Sequence, residues 1–262
     1  MRRALSSHWP EYLIEAGCLA VFMVSANLFA AAIFHPSSPV SRWVRDPVEA
    51  RFLMGLAMGA TAIALIFSPW GKRSGAHMNP ATTLTFYRLG RLNGWDAAFY
   101  IAAQFAGGLA GTLIATGILR GAIAHPSVDY VVTLPGIGGP WVAFAAELCI
   151  TFILMATILF VSNMKRLARY TGVFAGALVA LYITFESPLS GMSLNPARTL
   201  GSAVFASRYT SLWVYFAAPL AGMLLAAETY VRTGRGRIAH CAKLHHENDQ
   251  RCIFFCRYGE LR

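Results

Sequence analysis

Charge is what this chain has least of. Asp, Glu, Lys and Arg make up 13% of its 262 residues, and 56% of the chain is hydrophobic. A soluble domain carries about 25% charged residues, so an ordinary water-soluble domain is excluded. No nucleophile–base pair and no phosphate-binding glycine loop stands out, so no enzyme and no cofactor are expected. Cysteine is absent from the predicted outer loops: Cys18 and Cys149 fall in apolar runs, and Cys241, Cys252 and Cys256 fall near the C-terminus. No structural disulfide is expected from that distribution. Ser and Thr are nearly missing beyond residue 232, which argues against gating by phosphorylation there.

What is present is apolar length. Six stretches approach or exceed the length needed to cross a hydrocarbon core of about 30 Å. They lie near Tyr12 to Phe34, Phe52 to Pro69, Trp95 to Leu119, Trp141 to Val161, Tyr170 to Phe185 and Ser211 to Val231. Arg2 and Arg3 ahead of the first run resemble a signal peptide, with Ala30-Ala31-Ala32 as a cleavage site. The run is too long for a signal core and contains Glu15, so an uncleaved first helix is expected. The fold class is therefore all-α and membrane-embedded. A short N-terminus (1–9) precedes a bundle over 10–231, with halves of about 10–119 and 140–231. A basic tail over 232–262 is expected to be disordered.

The net charge of +10 invites a nucleic-acid reading, which its distribution opposes. With both termini inside, most basic residues fall on the inner side: Arg2 and Arg3, the group Lys72 to Arg91, the group Lys165 to Arg169, and the tail. This is the positive-inside bias. It places both termini in the cytoplasm and gives the basicity no polyanionic partner.

One tripeptide occurs twice, 116 positions apart: Asn79-Pro80-Ala81 and Asn195-Pro196-Ala197. The frame around it repeats without gaps, Ser74 to Leu84 on Ser190 to Leu200. Each copy opens a short apolar segment, roughly Asn79 to Tyr87 and Asn195 to Ala206. About ten residues of helix rise roughly 15 Å, half of a hydrocarbon core. With three spans in each half, the halves are inverted, and the two short helices meet end to end near the midplane. Glycines four apart (Gly55 and Gly59, Gly107 and Gly111, Gly172 and Gly176) read as packing contacts between spans.

The tripeptide has a physical logic. Asn caps a helix through its side-chain oxygen, Pro suits the first helical position, and Ala is small and helix-favouring. With the oxygen committed, each Asn keeps an NH₂ group with two donors to offer. Two such groups, at two positive helix ends, would hold a water by its oxygen and turn its hydrogens away in both directions. A continuous proton wire is then broken, and cations meet a barrier.

On these residues the chain closely resembles the aquaporin (major intrinsic protein) family over roughly residues 10 to 231. Ser74 to Ala81 looks like the family's first signature, Gly191 to Arg198 like its second, and Tyr100 to Gly107, with Gln104, like its third helix. The resemblance implies a homotetramer with a pore in each subunit, in a plasma or bacterial inner membrane. It also implies a pore wall of carbonyls from Gly75, Ala76, His77, Gly191, Met192 and Ser193. Glu15 and Glu147, one per half, are expected to accept bonds from the bent loops, since a carboxylate in a bilayer needs such a reason. A proton relay is the alternative for that pair. Arg198 is expected at the filter, with Ile183, Met192 and either Met58 or Gly59. Strict water channels of the family carry histidine where this chain has Ile183. The glycerol-conducting branch usually has Asp where this chain has Thr199.

The expected function is a passive channel for water, with small neutral solutes such as glycerol, urea or ammonia as the wider alternative. A coupled transporter also uses inverted repeats but normally needs titrating groups at the midplane. A membrane-junction protein would want adhesive outer loops, and none stands out. His77 is read as a carbonyl donor to the pore wall, with a pH gate as the other possibility. The loop Arg120 to Pro140 reads as a lid or a subunit contact. The tail's His240, Cys241, His245, His246, Cys252 and Cys256 are metal-ligand types in a spacing that matches no zinc motif, and no metal is expected.

Overall fold

The computed structural model describes residues 1–233 and 238–261, so Arg235, Arg237 and Arg262 of the tail lie outside the described residues. In chain order the helices are α1 (Arg2–Phe34), α2 (Pro39–Trp43), α3 (Pro47–Phe67), α4 (Pro69–Ser74), α5 (Pro80–Arg88) and α6 (Gly94–Leu119) in the first half. The second half holds α7 (Gly139–Ser162), α8 (Thr171–Phe185), α9 (Ser187–Ser190), α10 (Pro196–Ala206) and α11 (Leu212–Thr233). Among the described residues there is no strand. Six helical segments are long and apolar enough to cross a membrane: α1, α3, α6, α7, α8 together with the 3-10 turn Ala168–Tyr170 that leads into it, and α11. An even number of crossings puts both chain ends on one side of the bundle, called here the terminal end.

Local chemistry fixes where these helices begin. Five of them start on one device, a capping side chain followed by proline: Ser38-Pro39, Asp46-Pro47, Ser68-Pro69, Asn79-Pro80 and Asn195-Pro196. Asp46 is typical, accepting from Val48 N at 2.7 Å and Glu49 N at 3.0 Å. The cap satisfies amides that the first turn leaves free, and proline has no amide to satisfy.

Packing follows the duplication. Helix α1 lies on α6, α7 lies on α11, and the middle helices α3 and α8 lie on each other across the halves. The last contact is backbone on backbone. A Cβ on Gly59 would stand 2.5 Å from the Gly176 carbonyl, and one on Gly176 would stand 2.6 Å from that of Gly59.

Two expectations change. The first helix begins at Arg2, not near residue 10, because its opening turns are tied down. His8 Nδ1 and the Tyr12 hydroxyl both reach Asp96 Oδ1 at the start of α6, at 2.8 and 2.5 Å. The tail, expected to be disordered, is instead packed. Residues 238–261 lie across the terminal end with a single 3-10 turn, Tyr258–Leu261. Ala239, Cys241, Ala242, Leu244 and Phe254 join the buried core there.

Candidate functional site

Each half builds its re-entrant loop the same way. A short helix, α4 or α9, ends on a left-handed glycine, Gly75 at φ 97° or Gly191 at φ 79°. Two non-glycine residues then follow in left-handed conformation: Ala76 and Met78 in one loop, Met192 and Leu194 in the other. Such residues cost on the order of 1 kcal/mol or more each and persist only where the surroundings hold them.

Carboxylates do the holding. Glu15, in α1, accepts from Ser74 Oγ at 2.7 Å, His77 N at 3.1 Å, Met78 N at 2.6 Å and Gln104 Nε2 at 2.8 Å. Glu147, in α7, accepts from Ser190 Oγ at 2.9 Å, Ser193 N at 2.5 Å and Leu194 N at 2.8 Å. Both are fully buried, and the bonds supply what a buried charge requires. Their carboxylates are engaged by backbone and side-chain donors of the loops and of α6.

A second mirrored pair escaped the sequence reading. The Tyr100 hydroxyl donates to Ser74 O and the Tyr215 hydroxyl to Ser190 O, each at 2.7 Å. A repeat marks them: Tyr100-Ile-Ala-Ala-Gln-Phe-Ala-Gly107 matches Tyr215-Phe-Ala-Ala-Pro-Leu-Ala-Gly222 at the Tyr, the three Ala and the Gly. Pro219 stands where Gln104 stands, so Glu147 has no counterpart to the Gln104 bond.

The two Asn-Pro-Ala turns meet. Asn79 Oδ1 accepts from Ala81 N at 2.9 Å, and Asn195 Oδ1 accepts from Ala197 N at 3.0 Å and Arg198 N at 3.3 Å. Each amide also crosses to the other loop: Asn79 Nδ2 donates to Leu194 O at 2.8 Å, and Asn195 Nδ2 donates to Met78 O at 2.7 Å. The count of free donors is therefore corrected. Each NH₂ commits one hydrogen to the opposite loop and keeps one, not two.

Both Asn side chains line one cavity of about 310 Å³. It runs from Leu244 and His77 at the terminal end to Arg198 and Arg51 at the other. Of the anticipated wall, Ala76, His77, Gly191, Met192 and Ser193 line it. Gly75 is not among them, because its carbonyl accepts from Leu244 N at 3.2 Å. Of the anticipated filter, Met58, Ile183, Met192 and Arg198 line it. Gly59 is turned into the α3–α8 contact, so of the two candidates Met58 is the one that lines the cavity.

Arg198 is steadied by Thr133, whose Oγ1 accepts from Nη1 at 3.1 Å. Thr133 also bonds Thr199, which bonds Ser193. Thr133 comes from the loop before α7, and nothing local in the sequence marks it. Arg51 is a second cation there. It lines the same end of the cavity, with Nε on Thr184 O at 3.0 Å. Among the described residues no carboxylate lines the cavity.

The His77 ring has more to do than the sequence suggests. It is buried, with Nδ1 3.1 Å from Thr83 Oγ1 and Nε2 2.8 Å from Ala242 O. Since a carbonyl only accepts, Nε2 carries the proton, and Nδ1 accepts from Thr83.

Fold and site together define a duplicated membrane bundle closed around a cavity, with two half-helices abutting inside it. The family model of the major intrinsic proteins matches residues 11–230, and the chain belongs to that family. Aquaporin NIP2-1 of Oryza sativa subsp. japonica is 34% identical over 147 residues, 56% of this chain and 47% of the relative. Aquaporin AqpM of Methanothermobacter marburgensis is 37% identical over 152 residues, 56% of this chain and 60% of the relative. The chain thus matches about half the length of these curated relatives. The X-ray structure of the aquaglyceroporin from Plasmodium falciparum has the same fold. Its TM-score is 0.68 at 23% identity, over 86% of this chain and 96% of that one.

Proposed function

We propose that the chain is a passive channel for water that excludes protons and ions, with both termini cytoplasmic and four pores in a homotetramer. The observation that carries this is the abutting pair Asn79 and Asn195. Each caps a half-helix of opposite orientation, and each keeps one amide hydrogen for the cavity. Donors without acceptors at that point orient a water by its oxygen, and two positive helix ends repel cations. Arg198 adds a fixed charge and further donors at the outer constriction. A coupled transporter would need a titrating group to carry the driving ion. Glu15 and Glu147 are committed to the loops, the charged groups lining the cavity are arginines, and the His77 ring that also lines it is held by Thr83 and Ala242.

A wider reading, entry of small neutral solutes, is favoured by the filter. Met58, Ile183 and Met192 offer apolar walls around Arg198, and the structural neighbour is named an aquaglyceroporin. Stopped-flow shrinkage of proteoliposomes, first with an impermeant osmolyte and then with glycerol or urea, separates the two. Fast water flux alone supports the narrow channel, and solute entry supports the wide one. Flux no greater than that of empty vesicles, with the tail removed as well as intact, would overturn both.

A further inference from the structure

The terminal end of the pore is covered by a segment that nothing in the duplicated frame calls for. Residues 238–261 contain one short 3-10 turn and otherwise no regular structure, yet several of their side chains are as buried as the membrane core. A stretch this short cannot build a hydrophobic core of its own. Units below about 40 residues are usually held by disulfides, metals or association. Here the cysteines are free, and the segment folds back on the bundle.

Its contacts ring the pore mouth. His240 N donates to Asn163 Oδ1 at 2.7 Å, beyond α7, and Phe255 N donates to Arg91 O at 2.9 Å, before α6. Arg251 reaches Ser7 O in α1 at 3.1 Å. Inside this ring, Ala242 O accepts from His77 and Leu244 N donates to Gly75 O. Phe254 stacks on the His77 ring at 5.4 Å and 14°. Leu244 is itself part of the cavity wall.

At the segment's centre, the ligand atoms of Cys241, His246, Cys252 and Cys256 all lie within 4.8 Å of one another. Cys241 Sγ and Cys252 Sγ are 3.6 Å apart, and Cys256 Sγ is 3.0 Å from His246 Nε2. Sulfurs at about 2.3 Å from a tetrahedral zinc stand roughly 3.8 Å apart, so small shifts admit the ion. A disulfide at about 2.05 Å would need a far larger movement. The His246 ring is oriented by stacking on Tyr258 at 4.2 Å. Lys243 Nζ closes the loop between the ligands by donating to Gln250 O and Arg251 O at 3.0 and 2.8 Å. The spacing is Cys-x4-His-x5-Cys-x3-Cys. It departs from compact zinc motifs because the bundle, not a finger fold, brings the ligands together.

We propose that Cys241, His246, Cys252 and Cys256 bind one zinc-class divalent ion, and that this ion locks the segment as a plug over the cytoplasmic mouth of the pore. Three thiolates and an imidazole suit a soft or borderline cation. Four protein ligands leave no open coordination position, so the site is structural. The gating half of the proposal rests on the channel reading; the binding half does not.

The test uses the purified full chain. Metal analysis and the visible spectrum after cobalt(II) exchange report the site. Expected are one ion per chain and thiolate-to-cobalt charge-transfer bands, both lost in the pair Cys252→Ser and Cys256→Ser. Absence of a bound ion, or a Cys241–Cys252 disulfide in the non-reduced peptide map, would overturn the site. Osmotic water flux then reports the plug. Chelation is expected to raise it several-fold in the parent chain and to leave the Cys→Ser pair, already open, unchanged. Zinc should restore the low flux only in the parent. A bound ion with flux indifferent to chelator would overturn the lock while the site stands. If chelated and truncated chains conduct no better than empty vesicles, the channel reading fails instead. Proteolytic protection of residues 238–258 then still reads the lock: it is expected with zinc and lost with chelator, and equal protection in both would overturn it.

Discussion

At the scale of the residue, the most exacting positions are Glu15 and Glu147. Each holds strained backbone through several charge-assisted bonds, and such bonds contribute about 1.5–3 kcal/mol apiece. Glu15→Ala or Glu147→Ala is expected to remove at least ~3 kcal/mol and to abolish flux, read by thermal unfolding in detergent and by stopped flow. Gln104→Ala removes one of Glu15's four donors, with an expected cost of about 1.5 kcal/mol and flux largely kept. Pro219, in the equivalent place, bears no such bond, so Pro219→Ala should leave the second loop's bonding untouched. Arg198→Ala is expected to let small cations leak while water flux persists, measured as a collapse of an imposed potential across proteoliposomes. Unchanged ion tightness would put the barrier at the two Asn alone.

At the scale of the element, helix contacts and helix starts obey different rules. Gly59→Val drives a branched side chain into the Gly176 backbone, separating α3 from α8, and should cost several kcal/mol or prevent folding. Gly17→Ala in α1, where nothing lies within 4 Å of the added methyl, should be neutral or up to about 1 kcal/mol stabilising. Paired melting curves in one detergent check the contrast. Helices were legible because their signals are local: apolar length for the spans, and a repeated Asn-Pro-Ala frame for the half-helices; the cap–proline pairs at Ser38, Asp46 and Ser68 went unread. The Tyr100 and Tyr215 braces were equally written in a repeat, but one lying inside spans, where Ala and Gly look like ordinary packing. Thr133, Arg51 and the ordering of the tail could not be read. His77 meets Ala242 across 165 positions, and no periodicity within the tail announces a partner supplied by the bundle.

At the scale of the whole molecule, the single chain leaves large aromatic and aliphatic side chains exposed along its spans, among them Phe52, Trp141 and Trp213. Lipid or neighbouring subunits must cover them. A homotetramer is expected in mild cross-linking and in the mass of the detergent-solubilised particle, and a monomer at all concentrations would contradict it. Removal of residues 238–262 should leave that assembly in place but lower the melting temperature of the bundle, since it uncovers the His77 ring and the core around it at the terminal end. One further consequence concerns synthesis. Met78 O and the Asn79 amide find their partners only in Asn195 and Leu194. The ribosome must therefore deliver a second, inverted half before the first loop can be completed, and a nascent chain arrested after α6 would carry an unfinished turn in the bilayer. The same reciprocity means that a half-length ancestor could have closed such a pore only by dimerising with an upside-down copy of itself.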